Sequence, residues 1–248
     1  MDSGWETKLK DGDGGQFRTT HWSVVLAAAQ PSSSDADAAL ATLCRAYWYP
    51  LYIFLRGNSH STEEAKDLTQ AFFVRLLSTP FLESVDPKAG RFRSFLLTSA
   101  RHFLADDHSR RTALKRGGGC EIISLDDTTL ETQYQERLVD SATPEKGFEK
   151  QWALTLLDRA LGRLREDYAS TGREELFEIL KRFLLEKKPA SHAAIAEELG
   201  ISPNAAGVVI HRLRQRFKEL VHQEVAQTVN DRQEVKAELS YLFSVLAS

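Results

Sequence analysis

Apolar residues recur along this chain at intervals of three and four, the spacing of one face of a helix. No segment shows the sustained two-residue alternation of a strand, so the pattern predicts an all-α protein. Residues 1–20 are rich in Gly and Asp and are expected to form a flexible N-terminal tail. Four helices are predicted within residues 21–111, and further helices near 145–166, 173–187, 191–199 and 203–222.

Two of the first four helices carry particularly clear signals. An apolar stripe from Leu40 to Leu55 predicts a helix that either breaks near Pro50 or ends at Gly57. The run Ser61-Thr62-Glu63-Glu64 has the hydroxyl-then-acid spacing of a capping box, which predicts the start of the next helix. The apolar face of that helix comprises Ala65, Leu68, Phe72, Phe73, Leu76 and Leu77.

Composition changes at residue 112 and divides the chain. Residues 112–143 hold six acidic residues against three basic ones and three consecutive glycines, Gly117 to Gly119. They are predicted to form an acidic, flexible linker between one helical domain at 21–111 and another at 144–222. Because such a linker does not fix the domain arrangement, it permits a compact, self-occluded form of the free protein. Residues 223–248 predict an appended C-terminal amphipathic helix.

The overall composition excludes several classes of protein. The 248 residues include 32 Lys and Arg against 35 Asp and Glu, so no strong overall field indicates a partner. Cys44 and Cys120 form no metal-ligand cluster or disulfide framework, and neither a metal nor a cofactor is expected. The apolar runs are too short to span a bilayer, and the acidic N-terminus lacks the pattern of a signal peptide. The expected location is the cytoplasm.

Residues 191–220 have the pattern of a helix-turn-helix motif. Ser191 is placed to cap a short helix, Gly200 supplies a tight turn, and Ser202 with Pro203 opens a second helix. The apolar face of the second helix consists of Ala206, Ile210, Leu213, Phe217 and Leu220. The opposite face presents Asn204, His211, Arg212, Arg214, Gln215 and Lys218. Such a helix can enter the major groove of DNA, with its arginines on phosphates. A two-helix corner with a solvated basic face is the alternative.

A second basic segment is the helix predicted to begin at Arg91. It carries five arginines against two aspartates, and two histidines that add optional charge. The arginines are Arg91, Arg93, Arg101, Arg110 and Arg111, and the histidines are His102 and His108. Cations on one rigid side suit phosphate contacts. Phe92, Phe95 and Phe103 favour a core role over base stacking, because they recur at helical spacing. A solvated basic face is again the alternative.

Three segments resemble those of extracytoplasmic-function (ECF) sigma factors. The run Glu64-Ala65-Lys66-Asp67-Leu68-Thr69-Gln70-Ala71-Phe72-Phe73 is similar to that family's polymerase-binding helix, whose pattern is acid-Ala-x-Asp-Leu-x-Gln-x-x-Phe. The spacing of Phe92, Phe95, Leu96, Ala100, His102, Leu104, Asp106, Arg110 and Arg111 resembles the promoter-melting helix. The helix-turn-helix segment resembles the family's C-terminal domain. The resemblance covers about 21–111 and 144–222, and indicates a divergent branch.

The resemblance implies a role for each part of the chain. The first domain would bind the core RNA polymerase through Glu64, Asp67 and Gln70, with Arg75 as a weaker candidate. The same domain would melt the minus-ten promoter element, with contacts from Arg91, Arg93, Arg101, His102, Arg110 and Arg111. The second domain would read the minus-thirty-five element through Asn204, His211, Arg212, Arg214 and Lys218. The acidic linker would follow the polymerase channel.

The chain also departs from the family it resembles. Gly207 stands where members often carry a basic residue, and Val208 and Val209 replace polar or basic ones. Base reading is therefore expected to shift toward Asn204, His211 and DNA shape, or Val208 packs against another element such as the C-terminal helix. The C-terminal extension is not part of the resemblance. It is expected to regulate promoter access by docking on the second domain, and an anti-sigma protein is a further candidate partner.

Two other functions are considered. A stand-alone helix-turn-helix repressor or activator would bind DNA without polymerase, as a dimer on two half-sites. A metal-dependent phosphohydrolase would use His102 and Asp106, which are one turn apart, with Asp107 and His108 nearby. The remaining histidines show no companion spacing, and no nucleophile arrangement or phosphate-binding loop is present in the sequence. The favoured interpretation is therefore a transcription-initiation factor without catalytic residues.

Overall fold

The computed structural model describes residues 34–59, 61–76, 91–113, 143–186, 189, 191–229 and 231–247. Every regular element in these residues is a helix, which confirms the predicted all-α class. The predicted N-terminal tail, residues 21–33 and 77–90 of the first predicted domain, and residues 114–142 of the linker lie outside the described residues.

The helices fall into two groups on either side of residues 114–142. The first group consists of α1 (Ser34–Gly57), α2 (Thr62–Leu76) and α3 (Phe92–Ala113). The second begins with α4 (Pro144–Ala169), α5 (Glu174–Leu180), α6 (Arg182–Leu185) and α7 (His192–Leu199). It ends with α8 (Pro203–Ala226), a 3-10 turn (Arg232–Glu234) and α9 (Val235–Ala247). The predicted helix near 173–187 is divided into α5 and α6, and the C-terminus also differs; the other bounds predicted in the second group lie within a few residues of those observed.

Helix α1 continues through Pro50 and ends at Gly57, which decides between the two predicted ends. Proline lacks the N–H that would bond one turn back, so the helix loses one hydrogen bond at this point. Burial compensates, because Tyr47, Leu51 and Phe54 on either side of Pro50 are almost completely buried. Packing therefore overrides the helix-breaking tendency of this proline.

Helix α2 begins at the predicted cap. The backbone N–H of Glu64 donates to Ser61 Oγ at 3.1 Å, so the hydroxyl satisfies one of the free N–H groups of the first turn. The predicted apolar face is buried, and Phe72 packs edge-on against Phe103 of α3 with ring centroids 5.7 Å apart. Leu77 lies outside the described residues.

One apolar core joins the two groups of helices. Buried residues of α1, α2 and α3 belong to the same contiguous cluster as those of α4, α5, α7, α8 and α9. Among the described helices, α1 packs more extensively against α4 than against any other. A Cβ added to Gly57 would lie 2.9 Å from Pro144 Cγ, so only glycine allows these two helix ends to approach so closely. In this structure the protein adopts the compact arrangement.

The C-terminus differs from the single helix predicted within residues 223–248. Helix α8 continues to Ala226, because Val221 and Val225 extend its buried face. Local bonds then end it: the Gln227 N–H donates to the Glu224 carbonyl, and the N–H and hydroxyl of Thr228 both donate to the Val225 carbonyl, at 2.9 and 2.8 Å. Helix α9 is a separate element that packs against α4 and α8.

Candidate polymerase and nucleic-acid interfaces

The outer face of α2 carries the predicted polymerase contacts. Asp67 is exposed, while Glu64 and Gln70 are half-buried beside it. Gln70 Oε1 is itself buried and accepts no hydrogen bond from any described residue. Val74 is 73% exposed on the same helix and was not among the predicted residues. Val74 lies seven residues, or about two helical turns, after Asp67, so the sequence could have placed it on the same face.

Arg75 is partly exposed and contacts α3. Its Nη1 lies 2.8 Å from Asp106 Oδ2, and its guanidinium lies 6.0 Å from the centroid of the Phe103 ring. These contacts tie the end of α2 to α3. They also engage Asp106, which the phosphohydrolase interpretation used as a metal ligand. Among the described residues, no group of three His, Cys, Asp or Glu is placed to hold a metal ion.

Arg93, a predicted minus-ten contact, is buried, with only 6% of its surface exposed. Its Nε donates to Glu238 Oε1 of α9 at 2.7 Å, and its Nη1 donates to Glu149 Oε1 of α4 at 3.3 Å. Aromatic rings pack against the guanidinium, at 3.9 Å for Tyr241 and 5.1 Å for Trp152. No sequence signal on α3 predicted these contacts, since both carboxylates lie beyond the linker.

The other minus-ten candidates have different surroundings. Arg91 is half-buried, with Nε 3.0 Å from Glu238 Oε2; this is an ion pair without hydrogen-bond geometry. Arg101 is exposed, and its Nη2 donates to Glu145 Oε1 at 3.1 Å. His102 is also exposed. Arg110 and Arg111 lie on the last turns of α3, and their side chains are outside the described residues.

The pKa values of two residues that contact these arginines, Tyr241 beside Arg93 and Glu145 beside Arg101, are shifted from their ordinary values. Burial, together with a hydrogen bond to the Glu149 carboxylate, raises the pKa of Tyr241 to about 12. A hydrogen bond from its own backbone N–H, and then the contact with Arg101, lower the pKa of Glu145. Tyr241 therefore stays a neutral donor near neutral pH, and Glu145 stays a carboxylate, so both keep their partners.

The predicted helix, turn and capped second helix lie at residues 191–226. The hydroxyls of Ser191 and Ser202 each accept a hydrogen bond from a backbone N–H three residues later, at 3.2 Å. Gly200 adopts the left-handed conformation with φ of 63°, which glycine reaches without strain. Helices α7 and α8 pack against each other around Ile195, Ala206 and Ile210. The turn sequence thus sets the direction of α8 relative to α7.

The outward face of α8 keeps most of its predicted DNA contacts accessible. Asn204, His211, Arg212 and Lys218 are exposed, and Arg212 and Lys218 form no ion pair within the described residues. Arg214 is exposed too, but its Nη2 donates weakly to the Phe183 carbonyl at 3.5 Å. Val208 is 49% exposed rather than buried against the C-terminal helix.

A buried carboxylate that the sequence analysis did not single out joins α8 to α4. Glu224 has only 2% of its side chain exposed and lies 3.0 Å from Arg159 Nε and 2.7 Å from Arg163 Nη1. Arg163 also donates to Gln223 Oε1 at 2.8 Å. The sequence did carry a signal for the burial of Glu224, because this residue falls on the apolar stripe between Leu220 and Val225. A buried acid at such a position needs paired bases.

Replacing Gly207 by alanine is expected to stabilise the protein. An added Cβ would meet only His192 Nδ1, at an ordinary 3.8 Å, while alanine favours a helix interior by about 1 kcal/mol. The melting temperature should rise by about 2–4 °C in a thermal unfolding scan. Gly200→Ala is the matched contrast: its φ of 63° disfavours a side chain, so this variant should melt earlier. A lower melting temperature for Gly207→Ala would contradict the packing described here.

Comparison with known proteins identifies the family. The family model for ECF sigma factors matches residues 52–225, which include α2, α3 and the α7–α8 pair. No curated protein and no solved structure matches the chain. Within the described residues, no helix is long and apolar enough to cross a membrane. Because the match spans well over half of the sequence, the chain belongs to the ECF sigma factor family, whose members act with RNA polymerase in transcription initiation.

Proposed function

We propose that this protein directs RNA polymerase to its promoters through three separate surfaces. Asp67 and Gln70 of α2, with Glu64, contact the core enzyme. The arginines of α3, with His102, hold the melted minus-ten element. Asn204, His211 and Arg212 of α8, with Arg214 and Lys218, contact the minus-thirty-five element. This work requires no catalytic residue, and we place it in the cytoplasm, where the polymerase and its template are.

One observation carries the proposal: a single family match contains both the α2 face with exposed Asp67 and the capped α7–α8 pair. A stand-alone repressor accounts for the second of these features but has no use for the first. Membership of the ECF family therefore supports polymerase dependence. An anti-sigma protein fits the family as a further partner, and its binding would be expected on the α2 or α8 surface.

The test is run-off transcription with bacterial core polymerase over a library of genomic fragments. The protein is expected to yield discrete transcripts that depend on its presence, and to co-elute with core polymerase in gel filtration. Specific binding to an operator in the absence of polymerase, without any run-off product, would support a repressor instead. No transcript and no co-elution would overturn the proposal.

Arg212→Ala is expected to weaken promoter binding and its dependence on salt. Arg212 is exposed on α8 and free of ion pairs among the described residues, so its charge is available to a phosphate. Losing one phosphate contact should reduce the slope of log affinity against log salt by about 0.9. The measurement is fluorescence anisotropy of the polymerase complex on duplex promoter DNA at several salt concentrations.

The matched control for this prediction is Arg165→Ala. Arg165 is an exposed arginine of α4 with only a long ion-pair contact, at 3.7 Å, to Glu178. Its removal changes net charge by the same amount away from α8, so the slope should stay as in the wild type. If Arg212→Ala and Arg165→Ala behave alike, Arg212 does not contact a phosphate.

A further inference from the structure

Arg91, just before α3, and Arg93 and Arg101 of α3 form ion pairs with carboxylates beyond the linker. Arg91 and Arg93 meet Glu238, Arg93 also meets Glu149, and Arg101 meets Glu145. The hydrogen-bonded pairs are separated by 145, 56 and 44 residues along the chain. Arg93 is thus enclosed by α4 and α9 and Arg91 is half-buried beside it, whereas Arg101 and the candidate DNA contacts of α8 remain exposed.

Glu238 is the most enclosed of these carboxylates. Its side chain has 0% exposure and receives both Arg93 Nε at 2.7 Å and Arg91 Nε at 3.0 Å. It belongs to the apolar stripe of α9, one turn from the buried Val235 and Leu242. Two guanidinium groups on one carboxylate form the same kind of contact that arginines make with a phosphate.

We propose that α9 is an autoinhibitory latch. Its Glu238 carboxylate pairs with Arg91 and Arg93 and so takes the position that promoter phosphates would have on these arginines. This inference rests on the proposed function, because it assigns a regulatory state to the minus-ten surface. A guanidinium cannot give the same N–H groups to Glu238 and to a phosphate. DNA bound through Arg93 and the packed position of α9 therefore exclude each other.

The aromatic residues around the pair strengthen this exclusion. Tyr241 of α9 packs on the Arg93 guanidinium at 3.9 Å, with Trp152 of α4 at 5.1 Å. Phosphate access thus requires α9 to move away with both Glu238 and Tyr241. The free protein would be closed, and binding to polymerase or to the melted strand would supply the energy for opening.

Glu238→Gln tests the latch while keeping the size of the side chain. Binding of a mixed-sequence single-stranded DNA oligonucleotide to the free protein is measured by anisotropy across a salt series. The variant is expected to bind roughly tenfold more tightly. Its log–log salt slope should steepen by about 0.7 for each of the two arginines released. Glu234→Gln, an exposed acid just before α9, is the control for charge alone.

The outcomes of this experiment distinguish failure of the latch proposal from failure of the proposed sigma function. If Glu238→Gln matches Glu234→Gln in affinity and slope while both still support run-off transcription, the latch is wrong and the sigma function stands. If neither the wild type nor Glu238→Gln supports transcription, the function fails even where the slope changes. Circular dichroism verifies folding. Should Glu238→Gln not fold, Tyr241→Leu removes the ring over Arg93 but keeps the Glu238 carboxylate that pairs with both arginines. This variant should also bind DNA more tightly than the wild type. An unchanged or lower DNA affinity would overturn the proposal.

Discussion

Replacing Asp67 and Gln70 together by alanine is expected to remove most of the affinity for core RNA polymerase. Asp67 is exposed on α2, and the buried face of that helix, with Leu68 and Phe72, would be untouched. A hydrogen bond to a charged group contributes about 1.5–3 kcal/mol. Losing the Asp67 contact alone therefore costs roughly ten- to a hundredfold in affinity, and losing the Gln70 amide adds to it.

The measurement is co-elution and run-off transcription with core polymerase, at matched protein concentrations. Lys66→Ala is the control, since this neighbouring residue points about a quarter turn away from Asp67 on the same helix. The melting temperature of the double variant should remain close to that of the wild type. Normal polymerase affinity in the double variant would mean that the α2 face is not the contact surface, even though the family assignment would hold.

The local structure of this protein could be predicted well from its sequence. Ser61, Ser191 and Ser202 each cap the helix they were expected to cap, because capping depends on residues three positions apart. The buried faces of α2 and α8 likewise followed from helical spacing, which is a local property. The membership of the ECF family rested on such local motifs too.

The contacts that enclose Arg93 could not be predicted in the same way. Arg93 and Glu238 are 145 residues apart, and no local pattern sets the path of the chain between them. Without that path, a basic helix is indistinguishable from an open DNA-binding surface. A partial signal existed in Glu224 and Glu238, because each falls on an apolar stripe. An acid at such a position predicts a buried basic partner, but not which one.

The packing role of Gly57 also could not be predicted from the sequence. In the sequence it reads as a plain helix end, followed by Asn58. In the structure it allows α1 to approach Pro144 at the start of α4, closing the first group of helices onto the second. Glycine is required at this position because of Pro144 of α4, so the requirement can be recognised only when the positions of both helices are known.

Trp152→Ala is expected to destabilise the whole protein, because Trp152 lies in the core shared by both groups of helices. Its side chain is 1% exposed on α4, and the Arg93 guanidinium lies 5.1 Å from its ring. Truncating a buried tryptophan costs about 3–5 kcal/mol through lost burial and the cavity left behind. At about 2–4 °C per kcal/mol, the melting temperature should fall by roughly 6–20 °C.

Trp152→Phe and a comparison of unfolding probes make this expectation specific to the shared core. Phenylalanine keeps most of the buried volume, so it should lose clearly less stability than alanine. Because α1 and α4 share one apolar cluster, the wild type should unfold in a single transition by both circular dichroism and tryptophan fluorescence. Two separate transitions in the wild type, with Trp152→Ala lowering only one, would mean that the two groups of helices are independent in solution. The compact arrangement that closes α9 over Arg93 would then not be the dominant state of the free protein.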